Sequence, residues 1–249
     1  MPPRRQIRIR DPRALDLPPP FRPVMLREAG DAFGHACAQA AALGGGALVS
    51  VGRFDRAELA VVLEPDEALA SAWRALYAGM VALFDALAAL APAGKSIAVV
   101  WPDAIRVGGG LVGGGRVAWP EDVDDADVPP WLVFGAMIRT VSMTDEAGWR
   151  PSATALEDEG FADAGADRLV EGFARHLMRV TDHWRDAGFA PIASEYASRL
   201  ERQDQDVHHA IGDNGDLLVT RSNGPVERRP LRPELAEPSW LNPGWGGSG

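Results

Sequence analysis

Residues 99–117 read VVWPDAIRVGGGLVGGGRV, and this stretch decides the fold class. Its apolar runs are interrupted by Trp-Pro-Asp at 101–103 and by two groups of three glycines. Apolar runs bounded by proline and glycine are typical of short β-strands joined by tight turns. The sequence therefore predicts a glycine-rich β-hairpin, with Arg106 and Arg116 on the strands that flank its turn.

The glycines at 108–113 also match the G-x-G-x-x-G pattern of dinucleotide-binding loops. Such a loop must lead directly into a helix, because the helix N-terminus holds the pyrophosphate. Here the chain continues into Arg116–Trp119, which has the pattern of a strand and is closed by Pro120. The context excludes the dinucleotide site and favours the hairpin.

Helices and strands are predicted on both sides of this hairpin. The predicted elements are a helix over 31–43 capped by Asp31, two strands within 47–63, a helix over 65–90, a strand over 131–141, and helices over 166–187 and 192–200. Apolar residues at three-four spacing identify the helices. We expect an α+β fold in which a mixed, mostly antiparallel sheet packs against helices.

The chain is predicted to have four segments. Residues 1–22, rich in proline and arginine, form an extended arm, and 23–200 form the main domain. Residues 201–243 carry an Asn-Gly hairpin signal and predict a small C-terminal β domain. Residues 244–249 are a flexible tail.

The composition excludes several classes of function. A formal net charge of −10 argues against a nucleic-acid-binding protein, because phosphate contacts require a basic surface. Cys37 is the single cysteine, so no intramolecular disulfide can form, which fits a reducing cytoplasm. We interpret Cys37 as a small buried residue. No apolar run is long enough to suggest a membrane span. We expect a cytoplasmic protein without nucleic-acid or membrane partners.

The histidines and carboxylates do not have the spacing of a metal site. His176 and His183 are two helical turns apart, and His208 and His209 alternate across a strand. We therefore expect no protein-bound metal. Asp103 has two interpretations that stay open, a hydrogen-bonded polar group in the turn before Ile105 or a group that orients a ligand.

The order of these pieces resembles the biotin/lipoate A/B protein ligase family over roughly residues 20 to 230. Residues 100–115 are similar to its W-P-N-D-I stretch followed by K-L-G-G-I. Residues 52–65 resemble the strand after its glycine-arginine loop, which ends in proline before a long helix. Residues 211–219 resemble the small β domain that many such ligases carry.

The resemblance implies a ligase-like catalytic-domain fold and two-step acyl transfer. ATP and magnesium would be substrates, biotin or lipoate the acid, and a lysine of a biotinyl- or lipoyl-type carrier domain the acceptor. The substrate-contacting residues it implies are Arg53, Trp101, Asp103, Gly113, Gly114 and Gly115. We expect a monomer or a homodimer.

The sequence departs from the family pattern at two charged features, the glycine-arginine loop and the catalytic lysine. The place that corresponds to the family's G-R-G-R-x-G-R loop is Gly44-Gly45-Gly46-Ala47 leading to Gly52-Arg53, with only Arg53 and Arg56 as cations nearby. Leu111, or Gly110 if the turn is shifted by one, stands where the family has its catalytic lysine. The only lysine, Lys95, precedes the strand and is not an evident replacement.

Arginine could supply the missing positive charge, although its geometry and reach differ from those of lysine. Arg116 and Arg106 are the candidates for that catalytic role. One hypothesis is thus a ligase that uses them for ATP-dependent attachment of biotin, lipoate or a related acid. The alternative is a non-catalytic pseudo-ligase that binds a small acid or a protein partner in the pocket where the family's ligases bind their acid. A third, weaker option is a folding or maturation partner of an enzyme complex.

Overall fold

The computed structural model describes residues 15–142, 153–161, 164–201, 206–222 and 224–241. Its main feature is a seven-stranded sheet. The strands are β1 (Arg22–Leu26), β2 (Ala47–Val51), β3 (Arg56–Leu63), β4 (Ile97–Val100), β5 (Ala104–Val107), β6 (Gly110–Ala118) and β7 (Leu132–Arg139). Their spatial order is β1-β2-β3-β7-β6-β5-β4. Among these seven described strands, the β1–β2 pair is parallel and the other neighbouring pairs are antiparallel, which confirms the predicted mixed, mostly antiparallel sheet.

The predicted hairpin is the pair β5–β6. Gly108 and Gly109 form its turn with φ values of 58° and 88°, a region that side chains other than glycine rarely adopt. Because β6 follows this turn directly, the structure agrees with the exclusion of a dinucleotide-binding loop.

Helices cover both faces of the sheet. They are α1 (Ala32–Leu43), α2 (Leu69–Ala72), α3 (Ala75–Leu90), α4 (Ala166–Ala187) and α5 (Phe189–Ser198). The predicted cap of α1 is confirmed, since Asp31 Oδ1 accepts the Gly34 N–H across 2.9 Å. Helix α1 packs on one face through small residues, whereas α3 and α4 form the main hydrophobic core on the other face.

The segment predicted as one helix over 65–90 is divided into α2 and α3. The acidic loop at 121–130 caps α2, because the carbonyls of Asp127 and Asp125 accept the Leu69 and Ala70 N–H groups across 2.8 and 2.9 Å. The divided segment, residues 69–90, has the length and composition of a membrane span, with a mean hydropathy of 1.4. This corrects the expectation that no such run exists.

Burial gives the membrane-like segment another explanation. In the apolar 18-residue stretch of this segment, 61% of the residues are buried inside the protein, and most of α3 belongs to the main core. A core helix of a soluble protein has the same apolar composition.

The C-terminal part forms a second, antiparallel sheet in the order β10-β9-β8. Its elements are β8 (Val207–Ile211), β9 (Leu217–Arg221), β10 (Glu227–Arg229), a short α6 (Leu231–Glu234) and a 3₁₀ turn (Ser239–Leu241). Leu217, Val219 and Leu231 join the same core as α3 and α4. The division of the chain into domains stays a prediction, and the arm at 1–14 and the tail at 242–249 lie outside the described residues.

Candidate functional site

The candidate site lies on the sheet face that α1 covers only in part. Beneath α1 this face is built from small apolar side chains, including Ala60 and Val62 of β3. Side chains two residues apart on a strand share a face, so Arg56 and Glu58 continue the same row beyond the helix. Arg116 of β6 lies on this face too, against the first turn of α1.

Arg116 is a partly desolvated cation. Its guanidinium carbon lies 3.9 Å from the ring centroid of Phe33, and Nη2 is 3.7 Å from Asp31 Oδ1. Burial lowers the pKa of Arg116, and Asp31, whose side chain is 66% exposed, compensates only in part. A half-buried guanidinium against an aromatic ring is suited to bind a carboxylate from solution.

The other cations are Arg53, in the loop between β2 and β3 (residues 52–55), and Arg56, the first residue of β3. Asp55 binds Arg53 Nε across 3.1 Å and Arg56 Nη2 across 2.8 Å. Burial opposes ionisation of Asp55, yet the hydrogen bonds from both arginines outweigh it and hold its pKa below the ordinary value. Arg53 is therefore already engaged by the protein. The glycines at 44–46 lie at the opposite end of β2 and belong to another turn.

Trp101 is held on the α3 side of the sheet. Its indole N–H donates to Tyr77 Oη across 3.0 Å, and its ring packs against the main core. The Trp101–Pro102 peptide is cis, and the Pro102 carbonyl accepts the Tyr196 hydroxyl across 2.7 Å. The structure thus places Trp101 and Arg116 on different sides of the sheet.

Asp103 is buried and bound by the C-terminal segment. Its carboxylate accepts the backbone N–H of Ser239 across 3.1 Å and also the Ser239 hydroxyl. Burial raises the pKa of Asp103 to about 6, although both hydrogen bonds act in the opposite direction. Ser239 is therefore the hydrogen-bond partner that the interpretation of Asp103 as a hydrogen-bonded group in the turn requires.

Trp240 covers the glycine-rich part of β6. Its indole N–H donates to the Gly115 carbonyl across 2.8 Å, and its side chain is 5% exposed. A Cβ on Gly114 would lie 2.4 Å from the indole and 2.0 Å from the Asp103 carbonyl, while a Cβ on Gly113 would lie 1.9 Å from the Met137 carbonyl. These glycines are therefore required for close packing.

The position that corresponds to the family's catalytic lysine holds an apolar residue, Leu111, which Trp240 covers. Leu111 is 4% exposed and packs with Ala104 against Trp240. Lys95 forms an ion pair with Glu159 across 2.9 Å, away from this face. Arg106 donates to the Gly109 carbonyl across 3.2 Å and lines a separate cleft. Among the predicted site residues, Arg116 and Gly114 share the face with α1, whereas Trp101 lies on the other side. The register pairs Arg106 with Leu111, so its position on β5 faces the same side as Leu111, but its side chain lines the cleft beside β4.

Several residues of this face have no signal in the sequence. Met137 borders Arg56 and the Trp240 cluster, while Phe33, Ser239 and Trp240 read as ordinary helix or tail residues before their contacts are known. Within the described ranges no three His, Cys, Asp or Glu residues are arranged to hold a metal ion.

The comparisons with known proteins agree with this architecture. The model of the Biotin/lipoate A/B protein ligase family matches residues 17–198, and the chain belongs to this family. No curated protein matches the chain in sequence.

Solved structures of this class are similar over most of the chain. A biotin protein ligase-like protein of unknown function from Silicibacter sp. TM1040 is 28% identical with a TM-score of 0.75, covering 90% of this chain and 100% of its own. Biotin protein ligase from Aquifex aeolicus is 12% identical with a TM-score of 0.67, covering 84% and 95%. The Leishmania major enzyme in complex with biotinyl-5-AMP is 18% identical with a TM-score of 0.53, covering 85% and 98%. The last two show the likeness of fold.

Proposed function

We propose that the protein is a ligase-like family member that binds a small carboxylic acid beside Arg116 and does not activate it as an acyl-adenylate. The observation that carries this proposal is the Arg116 guanidinium on the sheet face, stacked on Phe33 and 3.7 Å from a largely exposed Asp31. A carboxylate that reached this guanidinium would gain a charge-assisted interaction in a partly dry environment.

The arrangement of the remaining groups argues against adenylate chemistry. Acyl activation requires a cation that neutralises charge as it develops on the carboxylate and phosphate. Leu111 stands in the lysine position beneath Trp240, and Arg53 is bound by Asp55. Neither residue is placed to supply that charge.

An active ligase is the second candidate, and the observation in its favour is the pair formed by Arg53 of the β2–β3 loop and Arg56 at the start of β3. Arg53 and Arg56 lie at the place that corresponds to the family's glycine-arginine loop. In that case ATP and magnesium would be substrates, and a biotinyl- or lipoyl-type carrier domain the acceptor. A cytoplasmic location fits either candidate.

Calorimetric titration tests the binding proposal. The panel consists of biotin, lipoate and unbranched acids from two to ten carbons. We expect one or more of these acids to bind, and Arg116→Gln to weaken binding roughly 10- to 100-fold, as for a lost hydrogen bond to a charged group. Arg106→Gln is the matched control on the neighbouring strand and should leave the affinity unchanged. Absence of binding across the panel would overturn the proposal.

Pyrophosphate exchange separates the two candidates. With ATP, magnesium and any acid that binds, we expect no acid-dependent exchange into ATP. Exchange that disappears in Arg56→Gln or Arg116→Gln would establish the active ligase instead.

A further inference from the structure

We propose that the outer edge of β8 binds an extended peptide segment of another protein, which joins the C-terminal sheet as a further strand. The site is separate from Arg116, so this inference goes beyond the proposed function and does not depend on acid binding. Three observations carry it, namely an open cavity beside β8, the backbone groups that β8 presents at its outer edge, and the contrast with the other sheet edges.

A cavity of about 1340 Å³ lies between α5 and the hairpin of β8 and β9. All five residues of β8, Val207–Ile211, line this cavity. Successive side chains of a strand point to opposite faces, so a cavity bordered by five consecutive residues runs along the edge of the strand. The wall formed by α5 consists of small residues, and Ser194 on this wall is exposed. The space beside β8 is therefore open to solvent.

The outer edge of β8 presents backbone hydrogen-bonding groups. Among the described residues, β8 pairs with β9 and with no other strand. Just beyond β8, the Gly212 N–H donates to the Asp216 carbonyl across 2.9 Å. In an antiparallel ladder, hydrogen-bonded pairs alternate with pairs whose N–H and C=O groups point outwards. Counted back from Gly212, the outward groups belong to Ile211, His209 and Val207.

The other edges of the two sheets are protected against further pairing. The edge strand β1 contains Pro23, and the edge strand β4 is bridged to Leu200. The edge strand β10 consists of three charged residues, Glu227–Arg229. Proline, charge and covering segments are the usual means of preventing pairing at an edge. The sequence of β8, Val-His-His-Ala-Ile, has neither proline nor a lysine, arginine or carboxylate, and its register has no bulge. This edge is therefore the one suited to receive a strand.

The core-facing side of β8 favours aliphatic side chains in the peptide. Val207, His209 and Ile211 share this side, and Val207 and Ile211 pack against the main core. A strand added beside β8 would place alternate side chains next to these two residues and close to the small residues of α5. Its other side chains would lie beside His208, which is exposed, and would be polar. The expected peptide thus alternates aliphatic and polar residues over about five positions, the length of β8.

The charges at the ends of β8 favour a peptide with basic ends. Asp206 precedes β8 and Asp213 follows it, and both line the cavity. Arg221 lines it too, but its guanidinium lies 3.4 Å from Glu227 Oε2, which offsets its charge. A basic residue at each end of the peptide complements the two carboxylates. The same carboxylates disfavour a second copy of the chain, because antiparallel pairing of two β8 strands would bring Asp206 of one copy near Asp213 of the other.

Fluorescence anisotropy with labelled peptides tests the inference. The probes are four peptides of the form Lys-X-Thr-X-Thr-X-Lys, in which X is valine, leucine, phenylalanine or alanine. We expect the valine or leucine peptide to bind most tightly, and to bind several-fold more weakly when glutamate replaces both lysines. Binding by none of the four peptides would overturn the inference.

N-methylation of one peptide amide at a time distinguishes strand addition from other modes of binding. Only every second residue of an added strand directs its N–H towards the neighbouring strand. We expect the affinity to fall about tenfold at alternate residues, as for a lost hydrogen bond, and to change little at the residues between them. A loss of affinity without this alternation would contradict binding at a strand edge.

Two substitutions in the protein test whether the peptide lies beside β8. Ser194→Trp fills the cavity from an exposed position on α5. His209→Pro removes an outward N–H, which an edge strand can lose without breaking its inner ladder. Each should weaken peptide binding at least tenfold and leave acid binding unchanged. Ala187→Trp, at an exposed position at the end of α4, is the control and should keep the full affinity.

Ser194→Trp keeps the test decisive if His209→Pro does not fold, because it changes an exposed side chain only. Unchanged peptide affinity in folded Ser194→Trp would overturn the assignment to this cavity. Sedimentation velocity of the protein alone tests the other occupant. A wild-type dimer that dissociates in His209→Pro would show that a second copy occupies this edge, and would overturn the proposal of a peptide partner.

Discussion

Trp101 donates its indole N–H to the hydroxyl oxygen of Tyr77 across 3.0 Å, and Tyr77 in turn donates to the carbonyl of Gly215. This short chain of hydrogen bonds joins three regions, namely the turn between β4 and β5, the core helix α3 and the C-terminal hairpin. Burial raises the pKa of Tyr77 well above its usual range, so the phenol stays protonated and remains a donor. The C-terminal sheet is thus tied to the core by a buried polar contact in addition to its apolar packing.

Removal of the Tyr77 hydroxyl should destabilise the fold measurably. Tyr77→Phe leaves one buried donor, on Trp101, and one buried acceptor, on Gly215, without their partner. We expect a loss of about 2 to 4 kcal/mol in the free energy of unfolding, measured by urea denaturation. Tyr196→Phe is the matched comparison, because it removes only the bond to the Pro102 carbonyl and should cost about half as much. Equal losses would contradict the importance of the Trp101–Tyr77–Gly215 chain.

A methyl group at Gly114 should not be accommodated. In Gly114→Ala the new Cβ would meet the Asp103 carbonyl at 2.0 Å and the Trp240 indole at 2.4 Å. We expect a destabilisation of about 3 kcal/mol or more, seen in the thermal unfolding midpoint. Gly165→Ala, where a Cβ would meet nothing within 4 Å, should be nearly neutral. A stable Gly114→Ala variant would show that the contact of Trp240 with β6 is looser than described.

The buried carboxylate of Asp103 should make stability depend on pH. Its pKa is about 6 in the folded protein against an ordinary value of 3.8, so between these two pH values the folded state binds more protons than the unfolded state. Stability therefore falls as pH rises through this window, by roughly 3 kcal/mol. Asp103→Asn cannot titrate at this position. The free energy of unfolding of this variant minus that of the wild type should therefore increase from pH 4 to pH 7.5. A difference that stays constant over this range would exclude the shift.

Cys37 should react slowly with alkylating reagents. Burial raises the pKa of its thiol from the ordinary value of 9.0 to about 11, although the positive charge of Arg116 acts in the opposite direction. At pH 8 the thiolate fraction falls about 100-fold, and we expect iodoacetamide to react slower by the same factor than with the unfolded chain. In Arg116→Gln the alkylation of Cys37 should be slower still, because the positive charge that stabilises the thiolate is lost. Equal rates in the folded and unfolded protein would contradict this.

The parts of the fold that depend on residues close together in the sequence could be predicted from the sequence. The glycine turn at 108–109, the Asp31 cap and the Asn214–Gly215 turn are local signals with local causes, and all three are present. The division of the 65–90 helix could not be predicted, since its first turn is capped by carbonyls of the loop at 121–130.

The candidate site was less accessible to prediction because it depends on distant contacts. The sequence indicates Arg116 as a candidate cation, but the stacking of Arg116 on Phe33 requires the packing of α1 on the sheet. The partner of Asp103 lies 136 residues further along the chain, and the carbonyl that binds Trp240 lies 125 residues before it. Periodicity and spacing carry no information on pairs so far apart.

The contacts of Ser239 and Trp240 show that this sheet face is completed by the C-terminal segment. The family model matches residues 17–198, yet the indole that covers Gly114 and the partner of Asp103 come from residues beyond that region. A fragment limited to 17–198 would retain Arg116 but expose the backbone of β6 at Gly114 and leave the buried carboxylate of Asp103 without the two hydrogen bonds from Ser239. The sheet therefore depends on a segment outside the matched region to shield its glycine strand from water.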